Sequence, residues 1–545
     1  MRPLKVRRLA RCSPERTHGG APIAPLATGL PKTVASLCPE CLRIIPARLF
    51  EHEEKVLMAK QCPEHGEFQD IVWSDVRLYL KAEQWAFEGG RGVSNPAVPD
   101  AVLCPQDCGL CQMHVSHTGL ANIDLTNRCN LTCPVCFANA NAAGYVYEPS
   151  LEQVFRMLRQ LREMRPVAAR VVQFSGGEPT ISPHFLEAVR MARDLGFSHI
   201  QVATNGLRFA TEPDFAERCA EAGLHTLYLQ FDGLSDEIYR RTRGQALLEL
   251  KLRAVEAARR AGLKIVFVPT VARGVNDHEV GRILRFAIEN IDVASGITYQ
   301  PVTFTGRIAQ KKRQQMRYTL TDLVKDLAEQ TGIVDTYHDW YPTPCTVSFS
   351  EFLSAVQGEE TIALTCHPHC SLATYLFVDA RTKTAIPVTR FVDVEGMLRA
   401  FREWAPRIAR VPSRRGRALL AYVVLRRFFR PEAAPPGLTY PKFLRTLEGL
   451  VDKRIGRGEN EERLTYRTLM VAGMHFMDAY NYQLDRVMRC VIHYAAPDGR
   501  IYPFCTYNSG ITFRERIERS FSVPLEAYFA ASGSDTVESR TILKV

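Results

Sequence analysis

Apolar and polar positions in the middle of this chain switch between two periods. Short apolar runs rich in Val, Ile, Leu and Phe fall at 121–125, 171–174, 200–203, 226–231, 265–270 and 297–301. Their length and β-branched content predict buried strands. Between them, apolar residues recur at helical spacing near 150–165, 183–195, 212–222, 246–261 and 278–290. Strand and helix therefore alternate over six repeats. Such alternation predicts βαβ units, a parallel sheet and the α/β class.

Each strand run ends in a motif of small or polar residues. After 171–174 comes Ser175-Gly176-Gly177-Glu178-Pro179, after 200–203 comes Thr204-Asn205-Gly206, and after 226–231 comes Asp232-Gly233. Arg273-Gly274-Val275-Asn276 follows the fifth run. In β/α barrels chemistry gathers at these C-terminal strand ends. Glycines there let backbone approach a ligand closely. Asn205, Asp232 and Asn276 read equally well as ligand contacts or as turn formers. The first run leads into Cys129, Cys133 and Cys136, spaced C-x3-C-x2-C. A [4Fe–4S] cube normally takes four thiolates. Three leave one iron open to a chelating small molecule. A zinc knuckle fits less well, because structural zinc sites are closed and four-coordinate.

The chain has 545 residues, enough for several domains, and 46% hydrophobic residues, ordinary for a globular protein. No run of 18 apolar residues offers a membrane-spanning helix. The first ~30 residues are rich in Pro, Gly and Arg and lack the apolar core of a signal peptide. Sixteen clustered cysteines without an export signal read as metal ligands in a reducing cytoplasm. The expected segments are a loose 1–33, a metal module 34–75, a linker 76–117, a barrel 118–308 and an extension 309–545.

Cys38-x2-Cys41 and Cys62-x2-His65 have the separation of a rubredoxin-like or zinc-ribbon site holding one ion. One histidine among three thiolates favours zinc over iron. Cys104, Cys108 and Cys111 repeat the C-x3-C-x2-C spacing. Only the Cys129 loop directly follows an apolar strand and precedes the Gly-Gly-Glu motif. The Cys104 set is therefore read as three ligands of an auxiliary cluster. Cys12 and Cys219 stand alone, which leaves Cys345, Cys366, Cys370, Cys490 and Cys505. Cys366 and Cys370 pair in one auxiliary cluster. Cys345, Cys490 and Cys505 would complete it and lend a fourth ligand to the Cys104 set, in an order the spacing does not fix. His367 and His369 read as ligands, as donors behind ligands, or as ordinary loop residues.

The Cys129 loop, the Gly-Gly-Glu motif and the six repeats together resemble the radical S-adenosylmethionine (SAM) superfamily. The resemblance implies a partial (β/α)6 barrel, a SAM-binding [4Fe–4S] cluster, reductive release of a 5′-deoxyadenosyl radical, and an electron donor of flavodoxin or ferredoxin type. It implies that Gly176, Gly177 and Glu178 hold the methionine amino group, and that Asn205, Asp232 and Asn276 contact the SAM ribose and carboxylate. The wider superfamily has an aromatic residue where Val135 stands. The cysteine layout, with Gly473–Asp478, Arg489–Tyr494 and Pro503–Asn508, resembles the archaeal tetraether lipid synthase and its bacterial relatives. That group implies two auxiliary clusters and the coupling of unactivated hydrocarbon chain ends.

Charge sharpens the choice of substrate. The chain carries a net +10, and ten arginines against the single acid Glu403 lie between Arg399 and Arg430. Apolar and aromatic residues interleave with them, as in a helix resting on anionic lipid. A solvated basic face, a nucleic-acid patch and a buried helix with basic ends are the alternatives. RNA recognition would want stacking aromatics on strands, so no nucleic acid is expected. The expected function is thus coupling of lipid chains by a cytoplasmic enzyme at the inner membrane face. The alternatives are a radical SAM methylase of a soluble ring such as a pterin, needing two SAM molecules or a methyl carrier, and an iron–sulfur electron-transfer scaffold.

Overall fold

A computed structural model describes residues 26–87, 92–451 and 465–532. Cys12, and the loose segment expected over 1–33 as far as residue 25, lie outside the described residues.

The six expected strands form one parallel sheet. Leu120–Thr126, Val171–Gly176, His199–Thr204, Thr226–Gln230, Lys264–Val268 and Ala294–Pro301 stand side by side in chain order. Pairings such as Ile123↔Phe174, Phe174↔Val202, Val202↔Leu227 and Leu227↔Ile265 put apolar side chains in one layer. The helices Leu151–Glu163, Phe185–Asp194, Phe215–Ala222, Leu248–Arg260 and Val280–Glu289 fill the crossovers. Their buried stripes, such as Val154, Met157, Leu158 and Leu161, meet the sheet in one continuous core. This is the α/β architecture of six βα repeats predicted above.

The sheet does not stop at its sixth strand. Tyr466–Met474 pairs parallel with Ala294–Pro301, through Gly296↔Met470 and Tyr299↔Gly473. Ile492–Ala495 pairs parallel with Leu120–Thr126 on the opposite edge. The boundary expected at residue 308 therefore divides one sheet. Both added strands come from distant sequence and are paired on both sides, so no local pattern announces their pairing.

The N-terminal module is a four-stranded antiparallel meander of Lys32–Leu37, Ile44–His52, Lys55–Cys62 and Gly66–Trp73. It is clamped to the barrel by buried charge. Arg317 bridges Asp70 of the meander and Asp478, with Nη2 2.7 Å from Asp70 and Nη1 2.6 Å from Asp478. Lys60 donates to the Ala479 carbonyl at 2.6 Å, and burial brings its amine down to about 8.

The arginine-rich stretch folds into Val394–Ala409 and Arg414–Arg426, packed on Thr346–Gln357. Phe352, Phe401, Ile408, Ala421 and Val424 bury in that layer, while Leu419, Tyr422 and Val423 remain exposed. Much of its apolar content is thus helix-packing core. Among the described residues no helix is long and apolar enough to cross a membrane.

Candidate active site and metal centres

Four ligand atoms converge at one tip of the meander. Those of Cys38, Cys41, Cys62 and His65 all lie within 4.8 Å of one another. Burial pushes the Cys62 thiol up, but bonds from His65 and backbone amides outweigh it and bring the thiol down to about 6. Three sulfurs and one imidazole at such separations suit a single tetrahedral ion.

The Cys129 loop sits at the mouth of the barrel. Cys129, Cys133 and Cys136 line a cavity of about 220 Å³ with Gly176, Gly177, Glu178, Asn205 and Arg243. Local contacts explain the loop's shape. Asn141 braces its start, accepting from Cys129 N at 2.9 Å and donating to Cys129 O at 2.8 Å. Arg307 donates to Cys133 O at 2.7 Å, and its backbone bridges Cys136. Gly176 has φ +131°, and a Cβ there would overlap Thr126 O; one at Gly177 would overlap Arg128 O. The glycine pair thus lets the second strand end lie against the backbone that leads into the cluster loop.

Glu178 is buried beneath this crossing. One carboxylate oxygen accepts from the Thr180 and Thr204 hydroxyls at 2.6 and 2.8 Å, and the other accepts from Asn205 N at 2.7 Å. The carboxylate therefore fixes the Asn205 turn, and the cavity meets it as one wall. Asn205 Nδ2 bonds Asn130 at 2.6 Å and lies 4.0 Å from Cys129 Sγ. Hydrogen bonds to cluster sulfurs tune such centres.

Asp232 and Asn276, expected to contact SAM, do not line the cavity. Asp232 is fully buried and spends both oxygens on Arg243, Thr242 and Thr270 N. Asn276 holds its own turn, bonding Ala272 N, Asp232 O and Thr270 O. Arg243, which the sequence did not single out, reaches the cavity because Asp232 holds it there. Lys251 is a second missed residue. Its buried amine donates to Asn205 O and, at 2.7 Å, to Gln230, and burial brings it down to about 7. Helix periodicity marks Lys251 only as a polar residue on an apolar face.

The three thiols fit an iron–sulfur cluster on their own chemistry. Burial pushes Cys129 and Cys133 up, with the Arg243 charge opposing it at Cys133. Buried thiolates of this kind persist when a bound cation balances them.

The remaining cysteines form two further groups. Cys104, Cys108 and Cys111 surround a void of about 10 Å³ closed by Val487 and Met488. Beyond its two partners, the ionised group that presses on Cys104 is Asp485. Cys366 feels the charge of Cys370 and Cys490, and Cys490 that of Cys505 and Cys370. Arg486, buried, donates to Cys370 Sγ at 3.4 Å, and burial pushes the Cys505 thiol up to about 11 against the lowering charge of Arg486. Cys505 also lines the main cavity. Cys345 was expected to serve one of these sets. It packs in the helical layer with Phe352 and Phe401, where burial pushes it up to about 12, and its short helix Thr343–Cys345 touches the turn Pro368–Cys370. Its charge reaches Cys366 last among that thiol's neighbours, and it is not among the groups pressing on Cys104. His367 and His369 are buried, and His369 stacks on Tyr79 with centroids 3.8 Å apart.

Comparison with known proteins agrees with this geometry. Residues 123–287 match the radical SAM superfamily, and residues 30–74 match a domain described as the HMPTM N-terminal zinc ribbon. The chain is 44% identical to the 7,8-dihydro-6-hydroxymethylpterin dimethyltransferase of Methanocaldococcus jannaschii, over 91% of this chain and 97% of that protein. A probable GTP 3′,8-cyclase of Methanothermobacter thermautotrophicus is 29% identical over 31% of this chain and 53% of its own. The crystal structure of Streptococcus suis SuiB bound to S-adenosylmethionine aligns with TM-score 0.31 and 18% identity, covering 39% of this chain and 43% of that one. The near full-length match overturns the lipid-coupling expectation. The cysteine layout that suggested a tetraether synthase therefore does not identify the substrate. The lipid partner and membrane surface lose their basis with it. The chain belongs to the radical SAM superfamily and, within it, to the family of the 7,8-dihydro-6-hydroxymethylpterin dimethyltransferase.

Proposed function

We propose that this chain is a radical SAM methylase whose substrate is a pterin of the 7,8-dihydro-6-hydroxymethyl type. The observation that carries the reading is the 44% identity over nearly the whole of both chains. The cavity supports it. Cys129, Cys133 and Cys136 would hold the cluster, and the Gly176–Glu178 crossing with Asn205 would hold SAM beside it. When bound, cluster and SAM supply a carbon radical strong enough to break a C–H bond. The chain's own residues orient the reactants and keep bulk water away. Arg243, fixed by Asp232, keeps a positive charge on the cavity wall next to Cys133. A low-potential donor of flavodoxin or ferredoxin type would supply the electron. Cys38, Cys41, Cys62 and His65 would hold zinc in a structural role.

The test uses anaerobically reconstituted full chain, dithionite, methyl-labelled SAM and 7,8-dihydro-6-hydroxymethylpterin. The expected result is 5′-deoxyadenosine together with pterin bearing one or two added methyl groups. Label in that product assigns the methyl to SAM, and its absence to a separate methyl carrier. Deoxyadenosine formed beside an unchanged pterin would refute the reading.

A further inference from the structure

The cavity has two unlike halves. One is made by the strand ends and the cluster loop. The other comes from residues 476–509, beyond the stretch matched to the superfamily. Phe476 and Phe504 stack there with centroids 3.9 Å apart and planes at 21°. Tyr494 stands 5.5 Å from Phe504. Beside these rings Asn508 and Ser509 line the cavity, with 3% and 2% of their surfaces exposed. Ser509 Oγ is buried and finds no hydrogen-bond partner among the described residues. A buried hydroxyl with nothing to bond is costly unless something else arrives to meet it.

Asn508 is held in one orientation. Arg514 donates to its Oδ1 from Nε at 2.9 Å and from Nη2 at 2.8 Å. A guanidinium can only donate, so this grip fixes which end of the amide is oxygen. The amide NH2 is turned the other way, where it donates to Phe504 O at 3.0 Å and reaches the Tyr494 hydroxyl, a bond that an arriving ligand acceptor would share. Arg514 has no charge to spare. It pairs with Asp124, lies 3.4 Å from Glu518, and sits over the Tyr507 ring at 4.9 Å. The wall is therefore aromatic, hydrogen-bonding and locally neutralised. It suits a flat neutral heterocycle; a hydrocarbon chain would leave its polar groups unmet, and a phosphate would find no free cation there.

We propose that this wall is the substrate-reading subsite. Phe476, Phe504 and Tyr494 take the fused ring, while Asn508 and Ser509 bond the amide-like edge of its pyrimidinone. Arg514 is a positioning residue that acts through Asn508. The proposal rests on the pterin reading above and deepens it.

Equilibrium dialysis of the reconstituted full chain tests it, with 7,8-dihydro-6-hydroxymethylpterin and SAM measured separately. N508A and S509A should each weaken pterin binding about tenfold, the scale of one buried hydrogen bond. SAM binding should change far less. R514Q should copy N508A, and R514K should recover part of the loss by restoring a single donor. In turnover, KM for the pterin should rise more than kcat falls. Equal loss of both ligands would mark a merely structural role and overturn the subsite. Wild-type protein that turns over the pterin while N508A and S509A bind it as tightly would overturn the subsite alone. Wild-type protein that neither binds nor methylates the pterin would overturn the reading of function and the subsite together.

Discussion

Cys104-x3-Cys108-x2-Cys111 and Cys129-x3-Cys133-x2-Cys136 share one spacing and sit in different surroundings. The Cys129 loop follows a parallel strand and opens on a cavity of about 220 Å³ walled by Gly176, Gly177, Glu178 and Asn205. The Cys104 loop connects the ribbon to the barrel and encloses a void of about 10 Å³. The open space for a second ligand beside a cluster therefore lies at the Cys129 loop. Burial pushes Cys108 up to about 12. Spacing sets how many thiolates a loop offers. The strand end beneath it decides whether a ligand can come alongside.

Removing each triplet gives the sharpest contrast. C129A/C133A/C136A should lose about four irons on one-cube stoichiometry and all 5′-deoxyadenosine formation. C104A/C108A/C111A should lose as many irons and still cleave SAM. Chromatography of quenched reactions checks both, and loss of cleavage in the second variant alone would invert the comparison.

The ribbon offers a closed centre to set beside the open one. Structural zinc binding is worth ~10–16 kcal/mol in small fingers at pH 7. C38S/C62S should therefore release one metal ion and unfold the meander Lys32–Trp73 locally, while Arg317 and the barrel strands stay protected. Hydrogen exchange reads this directly. Full protection of Lys55–Cys62 without metal would show that docking alone holds the ribbon.

A smaller effect is expected on the SAM side. E178Q weakens charge-assisted bonds to Thr180, Thr204 and Asn205, worth ~1.5–3 kcal/mol each. SAM affinity should fall about ten- to hundredfold by dialysis, with the cluster's iron retained. Unchanged affinity would leave the Asn205 turn without a part in binding.

A pH-dependent effect of comparable size is expected under the proposed substrate wall. Burial pushes Glu518 up from 4.5 to about 7, against the lowering charge of Arg514; Asp124 and Tyr145 also face it. Between those two values the folded state holds the proton more tightly than the unfolded chain. Its stability contribution is therefore greatest at low pH and falls as pH rises to about 7. Relative to E518Q, the wild type should lose up to about 3 kcal/mol between pH 4.5 and 7. Thermal melts of both proteins at pH 5 and pH 8 check the sign.

Much of this was readable from local pattern. Short apolar runs and helical spacing marked the six strands and their helices, because buried strands are apolar throughout and each helix buries one stripe against them. Cys38, Cys41, Cys62 and His65 were legible because two knuckles at that separation fall in the turns of neighbouring hairpins, which bring them together. Long-range pairing was not legible, since nothing near 466–474 or 492–495 says which edge they join. Asp232 and Asn276 misled for a physical reason: a polar residue after a strand can face the cavity or hold the turn, and these two hold turns. Arg243 and Lys251 were hidden inside helical periodicity. The proposed substrate wall was missed because Phe476, Tyr494 and Asn508 come together only when the strands Tyr466–Met474 and Ile492–Ala495 join opposite sides of the six-stranded sheet. The arginine run suggested lipid because charge interleaved with apolar residues is also what a packed surface helix looks like.

The rest of the chemistry stands on SAM meeting the Cys129 loop and no other. Low-temperature EPR of dithionite-reduced protein, with and without SAM, tests this in the two triplet variants. SAM should change the cluster spectrum of C104A/C108A/C111A and leave that of C129A/C133A/C136A as it was. A SAM-dependent change confined to C129A/C133A/C136A would contradict the account.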